Sequence, residues 1–316
     1  MNGSQRSSPR LTAFAWGVAL LTALVWAATT FVAERSVPTL LLTYFVLPQV
    51  WVLLALGTLL VCVWKRSGPA ILGGGAALLL SLGLLGYEFS QASRPGGTTS
   101  FRLMTYNVAR GGQSTATALA DTIRAQRPDV VCLQEVNGLK PGLLGELLNG
   151  LPGYTAVRSR EVALLSRFPV LAQQDTALPD ITRRLLSATL DQNGRRSTVL
   201  NAHFTTVLLR GGWGEARDRR AAQTAAVLRT AQNTPGPFVA CGDFNTPARG
   251  LVYAQLRQSF ANAFQDAETG FGYTFPSAFP AVRIDHVWLR GAWAVRANVP
   301  RSRASDHLPL VVDVAF

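Results

Sequence analysis

Apolar runs in this chain repeatedly end on side chains able to do chemistry. Asn107 closes LMTYN, Gln134 and Glu135 close VVCLQE, Asn201 and His203 lie in LNAHF, and Asp243 and Asn245 lie in CGDFNTP. Asp285 and His286 follow in RIDHVW, and Asp306 and His307 in SDHLP. A carboxylate taken out of water costs several kcal/mol unless something pairs with it. The GDFNTP stretch has a plain reading, since Asp, Asn, Gly and Pro all favour turns. Its chemical reading is a strand end that presents two oxygen-bearing groups to a metal or a polyanion. The chain holds 3 histidines, and all of them fall in these segments. A single histidine on an apolar strand is usually a satisfied core residue. Carboxylates, amides and imidazoles recurring at the ends of successive runs point instead to one shared site.

The succession Asn107, Gln134-Glu135, His203, Gly242-Asp243-Phe244-Asn245, Arg283-Ile284-Asp285 and Ser305-Asp306-His307 resembles the endonuclease/exonuclease/phosphatase superfamily. That group includes deoxyribonuclease-I-like nucleases, AP endonucleases, neutral sphingomyelinases and inositol polyphosphate phosphatases. The resemblance covers residues 101–316, and GDFN and SDH are its most specific pieces. It implies a four-layered α/β sandwich, with two packed mixed β-sheets flanked by helices and the site at one edge. It also implies a divalent cation, magnesium or else manganese, and hydrolysis of phosphate esters.

Roles carry over residue by residue. By resemblance Glu135 is the principal metal ligand, a hard oxygen donor suited to magnesium. Asn107 sits beside it, and Asp306 reaches the metal or its water shell. His307 contacts the scissile phosphate and acts as general base or positions the attacking water. Asp285 holds that imidazole in its useful tautomer, as a carboxylate does for other catalytic histidines. His203 binds phosphoryl oxygens and is a candidate to protonate the leaving group, Asp243 orients or deprotonates water, and Asn245 donates to the phosphate. The chain departs from the pattern twice. Ala109 stands where some nucleases carry an acid, and His286 stands where AP endonucleases often have Tyr. His286 therefore reads as structural, and DNA repair becomes the less attractive activity.

Strands must carry these groups. FRLMTYNV, DVVCLQEV, VALLSRFPV, LLSATLD, STVLNAHF, PFVACGDF, IDHVWLRG and LPLVVDVAF are strand-like, several of them continuous apolar runs that fit burial on both faces. Helical spacing appears at 114–126, where Pro128 follows, and at 215–232 and 250–264. Strands mixed with helices predict a layered sheet structure.

The first 90 residues differ in kind. Residues 11–33, 37–64 and 67–87 carry no charge, and each stretch is long enough to span a bilayer. Arg6 and Arg10 precede the first, and Lys65-Arg66 separate the second and third. The positive-inside rule then predicts a cytoplasmic amino terminus and three crossings of the cell membrane. Residues 91–100 read as a tether, and 101–316 as an extracytoplasmic domain anchored to the lipid bilayer. Removing the six basic and two acidic residues of positions 1–100 leaves 24 basic and 16 acidic residues, a charge of +8. That excess favours an anionic partner, nucleic acid or phospholipid. A phosphodiesterase of the nuclease kind leads. A phospholipase-C- or sphingomyelinase-like enzyme or a phosphomonoesterase is the alternative, and a non-catalytic binding module fits least because the full set of groups is present. With 3 cysteines there is no disulfide framework to read. Cys132 and Cys241 suit small core positions, and a bridge between them stays open.

Overall fold

Proline decides the shape of the amino-terminal helices. The computed structural model describes residues 8–92, 97–138, 142–178, 183–192, 194–208 and 211–316, so Arg6 and part of the tether lie outside the described residues. Helix α1 (Pro9–Ala27) continues through a π turn and a 3-10 turn, giving an unbroken run Pro9–Arg35 of 27 residues. The segment 37–64, expected as one span, is instead two helices, α2 (Val37–Phe45) and α3 (Pro48–Trp64), bent by 76°. Pro48 has no N–H to continue the ladder and disfavours helical backbone in the residue before it. Val46 and Leu47 accordingly run extended, with ψ of 102° and 117°. Helix α4 (Gly68–Gly86) has 19 residues. Among the described residues, two helices, Pro9–Arg35 and α4, are long and apolar enough to cross a membrane, and a third span exists only if the bent pair counts as one.

The chain divides into two compact units. One runs to Phe89 and includes Arg249–Leu251, and the other comprises Ser90–Ala248 and Val252–Phe316. In the second unit the strands in chain order are β1 (Phe101–Asn107), β2 (Val130–Gln134), β3 (Thr155–Ser159), β4 (Val162–Ser166), β5 (Val170–Ala177) and β6 (Arg184–Gln192). They are followed by β7 (Arg195–His203), β8 (Phe238–Asp243), β9 (Ala261–Asn262), β10 (Asp285–Arg290), β11 (Trp293–Asn298) and β12 (Leu310–Ala315). Helices α5 (Ala116–Gln126), α6 (Leu143–Asn149), α7 (Trp213–Gln232), α8 (Gly250–Ser259) and α9 (Ala263–Ala267) lie between them.

Two six-stranded mixed sheets result, ordered β11-β12-β1-β2-β4-β3 and β5-β6-β7-β8-β10-β9. Each has one parallel pair, β1 with β2 and β7 with β8, and its other pairings are antiparallel. Parallel neighbours need a crossover, and α5 and α7 supply it. Alternation along each strand sorts the side chains. Phe101 and Leu103 of β1 face a core between the sheets, together with Val199, Val239 and Val287. Met104 and Tyr106 face outward against Leu119 and Ile123 of α5 and Leu147 of α6. On the other sheet, Leu200 and Ala240 face Val227 of α7 and Leu256 of α8. This is the α/β sandwich that the sequence predicts.

Each apolar run read as a strand forms one, and the four strands it misses are β3, β5, β9 and β11. These are the edges of the two sheets. An edge strand has fewer neighbours to bury it, and β5 is exposed along most of its length. The helix expected over 250–264 is interrupted: Ala261 and Asn262 pair with Leu289 and Trp288, and the Asn262 side chain caps α9 by accepting from Gln265 N at 3.1 Å.

Cys132 of β2 and Cys241 of β8 are bonded to each other and cross the core between the sheets. Their separation of 109 residues makes the loop long, and closing such a loop in the unfolded chain is worth about 2–5 kcal/mol. Replacing both by Ala is expected to lower unfolding free energy by that amount, measured by denaturant titration of the detergent-solubilised chain. An unchanged midpoint would mean that the bridge adds nothing to stability.

Candidate active site

Register brings the chemistry together. Parallel strands end on the same side, so Asn107 pairs with Gln134 at the ends of β1 and β2, and His203 with Asp243 at the ends of β7 and β8. Strand β10 runs the other way and begins where β8 stops, placing Asp285 opposite Asp243. Gly242 makes the β7–β8 approach possible: its φ is 146°, and a Cβ there would lie 1.8 Å from Ala202 O. After the strands end, Glu135 and Asn245 adopt left-handed backbone (φ 59° and 47°), which asparagine tolerates and glutamate adopts at a cost.

Asp243 is almost fully buried. Its Oδ1 accepts from Asn245 N at 2.8 Å, and its Oδ2 accepts from Asn107 Nδ2 at 3.0 Å and from Asn245 Nδ2 at 3.3 Å. Asn245 also donates through Nδ2 to Phe204 O at 3.0 Å, so its amide braces Asp243 against the end of β7. Two imidazoles face the same carboxylate, His203 Nε2 at 3.6 Å and His307 Nε2 at 3.8 Å.

Two carboxylates side by side on neighbouring strands repel, and His307 relieves this by standing between them. Its Nδ1 lies 2.8 Å from Asp285 Oδ2. Burial alone would depress the imidazole, but Asp285, Asp243 and Asp306 outweigh it and raise its pKa to about 10. Ser305 fixes this loop on β1, donating through Oγ to Asn107 O at 2.7 Å and accepting from His307 N at 3.3 Å. Asp243, Asp285 and His307 place ligand-type atoms within 4.8 Å of one another. Glu135 and Asp306 do not belong to that cluster. Glu135 Oε1 lies 3.8 Å from His203 Nε2, and Asp306 Oδ1 lies 3.3 Å from Ser305 Oγ.

Sequence reasoning missed Glu161 and Arg183. Glu161 Oε2 lies 2.6 Å from His203 Nδ1 and 2.7 Å from Arg183 Nη1. Burial pushes the Glu161 carboxyl up, but His203 and Arg183 hold it below the ordinary glutamate value. The pairing directs His203 Nε2 toward Asp243 and Glu135. A carboxylate immediately before the apolar run VALL was the available signal for Glu161, while nothing in the sequence marks Arg183. His286, by contrast, is fully buried: Nε2–H donates to Thr246 O at 2.8 Å, and Nδ1 accepts from Asn262 Nδ2 at 3.3 Å. Burial first, then Arg283, lowers its pKa to about 3, which leaves it neutral and outside the proton chemistry.

The donor chemistry fits a divalent cation. Among the described residues Asp285 Oδ1 is buried with no hydrogen-bond partner, and the ion-pair contacts of Glu135 are long, at 3.6 and 3.8 Å. Carboxylate oxygens with spare lone pairs are the donors that magnesium takes.

A profile of the Endonuclease/Exonuclease/phosphatase family matches residues 104–307. A UPF0294 protein of Vibrio vulnificus (strain CMCP6) is 26% identical over 245 residues, covering 72% of this chain and 81% of that protein. Among solved structures, humanized D. rerio TDP2 is 17% identical with a TM-score of 0.55, covering 68% of this chain and 99% of its own. The mannosyl-6-phosphatase of Bacteroides thetaiotaomicron is 16% identical with a TM-score of 0.57, covering 68% and 100%. At these identities the two structures share the fold.

Because the folded-state pKa of Glu161 is depressed, its stabilisation is present above the ordinary value of 4.5 and is lost as pH falls through the folded value. Glu161→Gln removes a hydrogen bond to a charged group, worth about 1.5–3 kcal/mol. The variant should therefore melt below the wild type at neutral pH, with the gap closing in acid below about 4.5. A gap independent of pH, read from melting curves across this range, would contradict the assigned ionisation.

Proposed function

The chain belongs to the Endonuclease/Exonuclease/phosphatase family and is a phosphoester hydrolase, and we propose that it is a divalent-metal-dependent phosphodiesterase acting outside the cytoplasm. One observation carries the chemistry: the Asp285–His307 pair faces the buried carboxylate of Asp243 across a gap of 3.8 Å.

In this reading Glu135 and Asp306, beside Asn107, hold the cation. Bound there, magnesium supplies Lewis-acid charge to a phosphoryl oxygen. His307, made cationic by its carboxylate neighbours, donates Nε2–H to another phosphoryl oxygen, and Asp285 fixes its ring. Asp243 accepts a proton from the water that attacks phosphorus. As the bond from phosphorus to the leaving oxygen breaks, His203 gives that oxygen a proton, and Glu161 and Arg183 keep its ring in place. Asn245 and Asn107 hold Asp243 in position throughout. The net charge of +8 over positions 101–316 supports an anionic substrate.

Two observations support the extracytoplasmic side. The Cys132–Cys241 bridge belongs to oxidising compartments. Arg10 stands in the first turn of α1 and Lys65-Arg66 between α3 and α4, a pattern that supports a cytoplasmic face for both if the bent pair α2–α3 makes one crossing. The relevant membrane is then the cell membrane. Alkaline phosphatase fused after Phe316 is expected to be active in a bacterial host, and green fluorescent protein there should be dark. The reverse pattern would place the domain in the cytoplasm.

Hydrolysis of bis-p-nitrophenyl phosphate tests the mechanism. Excess EDTA should abolish turnover by the wild type, and full activity in EDTA would remove the metal from the reading. His307→Ala should reduce kcat by about 10²–10⁴-fold, the range for loss of a proton-transferring or proton-holding group. Because Asp285 acts through His307, the double variant should be little worse than the poorer single variant. Multiplicative losses, on proteins of unchanged Tm, would show that the two do not act as a unit.

A further inference from the structure

Next to Arg110 a cavity of about 440 Å³ is lined by Arg110, Gln113, Ser114, Leu143 and Glu146. Arg110 is the wall it shares with the catalytic groups, since Arg110 Nε lies 3.6 Å from Glu135 Oε2. The chain reaches this position through Ala109, Arg110 and Gly111, all left-handed with φ of 48°, 55° and 67°. Residues with side chains adopt such backbone at a cost, and they do so most often near functional sites.

The chemistry of the lining narrows what fits. Ser114 donates through Oγ to Ala304 O at 2.9 Å, so its oxygen faces a ligand chiefly as an acceptor. Gln113 offers both a donor and an acceptor, Glu146 only acceptors, and Leu143 an apolar wall. Hydroxyl groups satisfy such a set, because each can donate to a carboxylate and accept from an amide. A second phosphate would meet Glu146 and be repelled.

Resting on the phosphoester-hydrolase reading, we propose that this cavity receives the alcohol portion of the ester and selects one bearing hydroxyl groups, a sugar or polyol, with Glu146 as a specificity-determining residue. Arg110 then stands at the junction, between the scissile phosphate and the bound alcohol. Glu146 lies on the exposed side of α6 and makes no part of the catalytic cluster, so its replacement leaves that cluster intact.

The test uses the full chain in detergent with magnesium. Its substrates are bis-p-nitrophenyl phosphate, whose leaving group has no hydroxyl, and three hydroxylated esters: glycerophosphoinositol, thymidylyl-thymidine and sorbitol phosphate. At least one hydroxylated ester should be turned over, and Glu146→Ala should raise its KM at least about tenfold, the worth of a hydrogen bond to a charged group. Turnover of bis-p-nitrophenyl phosphate should stay within about twofold, and Glu146→Gln should keep part of the discrimination. Equal effects on both kinds of ester, or none, would overturn the subsite, as would a wild type that hydrolyses bis-p-nitrophenyl phosphate alone. A wild type that hydrolyses no ester at all would overturn the hydrolase reading beneath it.

Discussion

Asp243 is a carboxylate with almost no access to water, and polar groups from several elements converge on it. An isolated buried charge is too costly to persist. Here three N–H groups from Asn245 and Asn107 point at its oxygens, and two imidazoles face it within 3.8 Å. Each of those partners comes from a different strand end. The geometry of one charge thus ties β1, β7, β8 and the loop before β12 to a common point. Removing all of its donors would leave a buried carboxylate unsatisfied, which costs more than the hydrogen bonds themselves give.

The two sheets are registered to each other by equally specific contacts. Asn201 of β7 donates through Nδ2 to Leu133 O and to Ala163 O, both at 2.8 Å, and its Oδ1 accepts from Gln134 Nε2 at 2.7 Å. These bonds join one sheet to the other directly behind the catalytic groups. Apolar packing between sheets is non-directional and tolerates small slides, whereas hydrogen bonds fix orientation. The Cys132–Cys241 bridge lies in the same layer and adds a covalent limit to their separation. Candidate catalytic groups drawn from both sheets keep their spacing only if the sheets hold one alignment.

Charge explains why His203 and His307 differ. Both have a carboxylate on Nδ1 and Asp243 near Nε2, but Arg183 shares Glu161 with His203, while three aspartates surround His307. In the proposed mechanism these surroundings are the basis for giving phosphate binding to His307 and proton donation to His203.

Much of this was legible in the sequence. Runs buried on both faces announce themselves by continuous apolar residues, and every such run became an interior strand or the strand beside an edge. Asp243, Asp285 and His307 stood out because polar groups ending apolar runs need partners. The four edge strands carried no such signal, since one-sided pairing demands no apolar run. Glu161 and Arg183 were invisible for a related reason: their importance lies in touching His203, and contact between residues 20 to 42 positions apart is a property of register. The break at Pro48 was written in the chain, yet apolar composition alone read through it. Sequence by itself determined which polar groups close apolar runs and that strands present them, because burial cost and backbone periodicity are local. Only the tertiary structure decided which group faces which, whether two cysteines meet and where a cavity opens, because those depend on the packing of two sheets against each other.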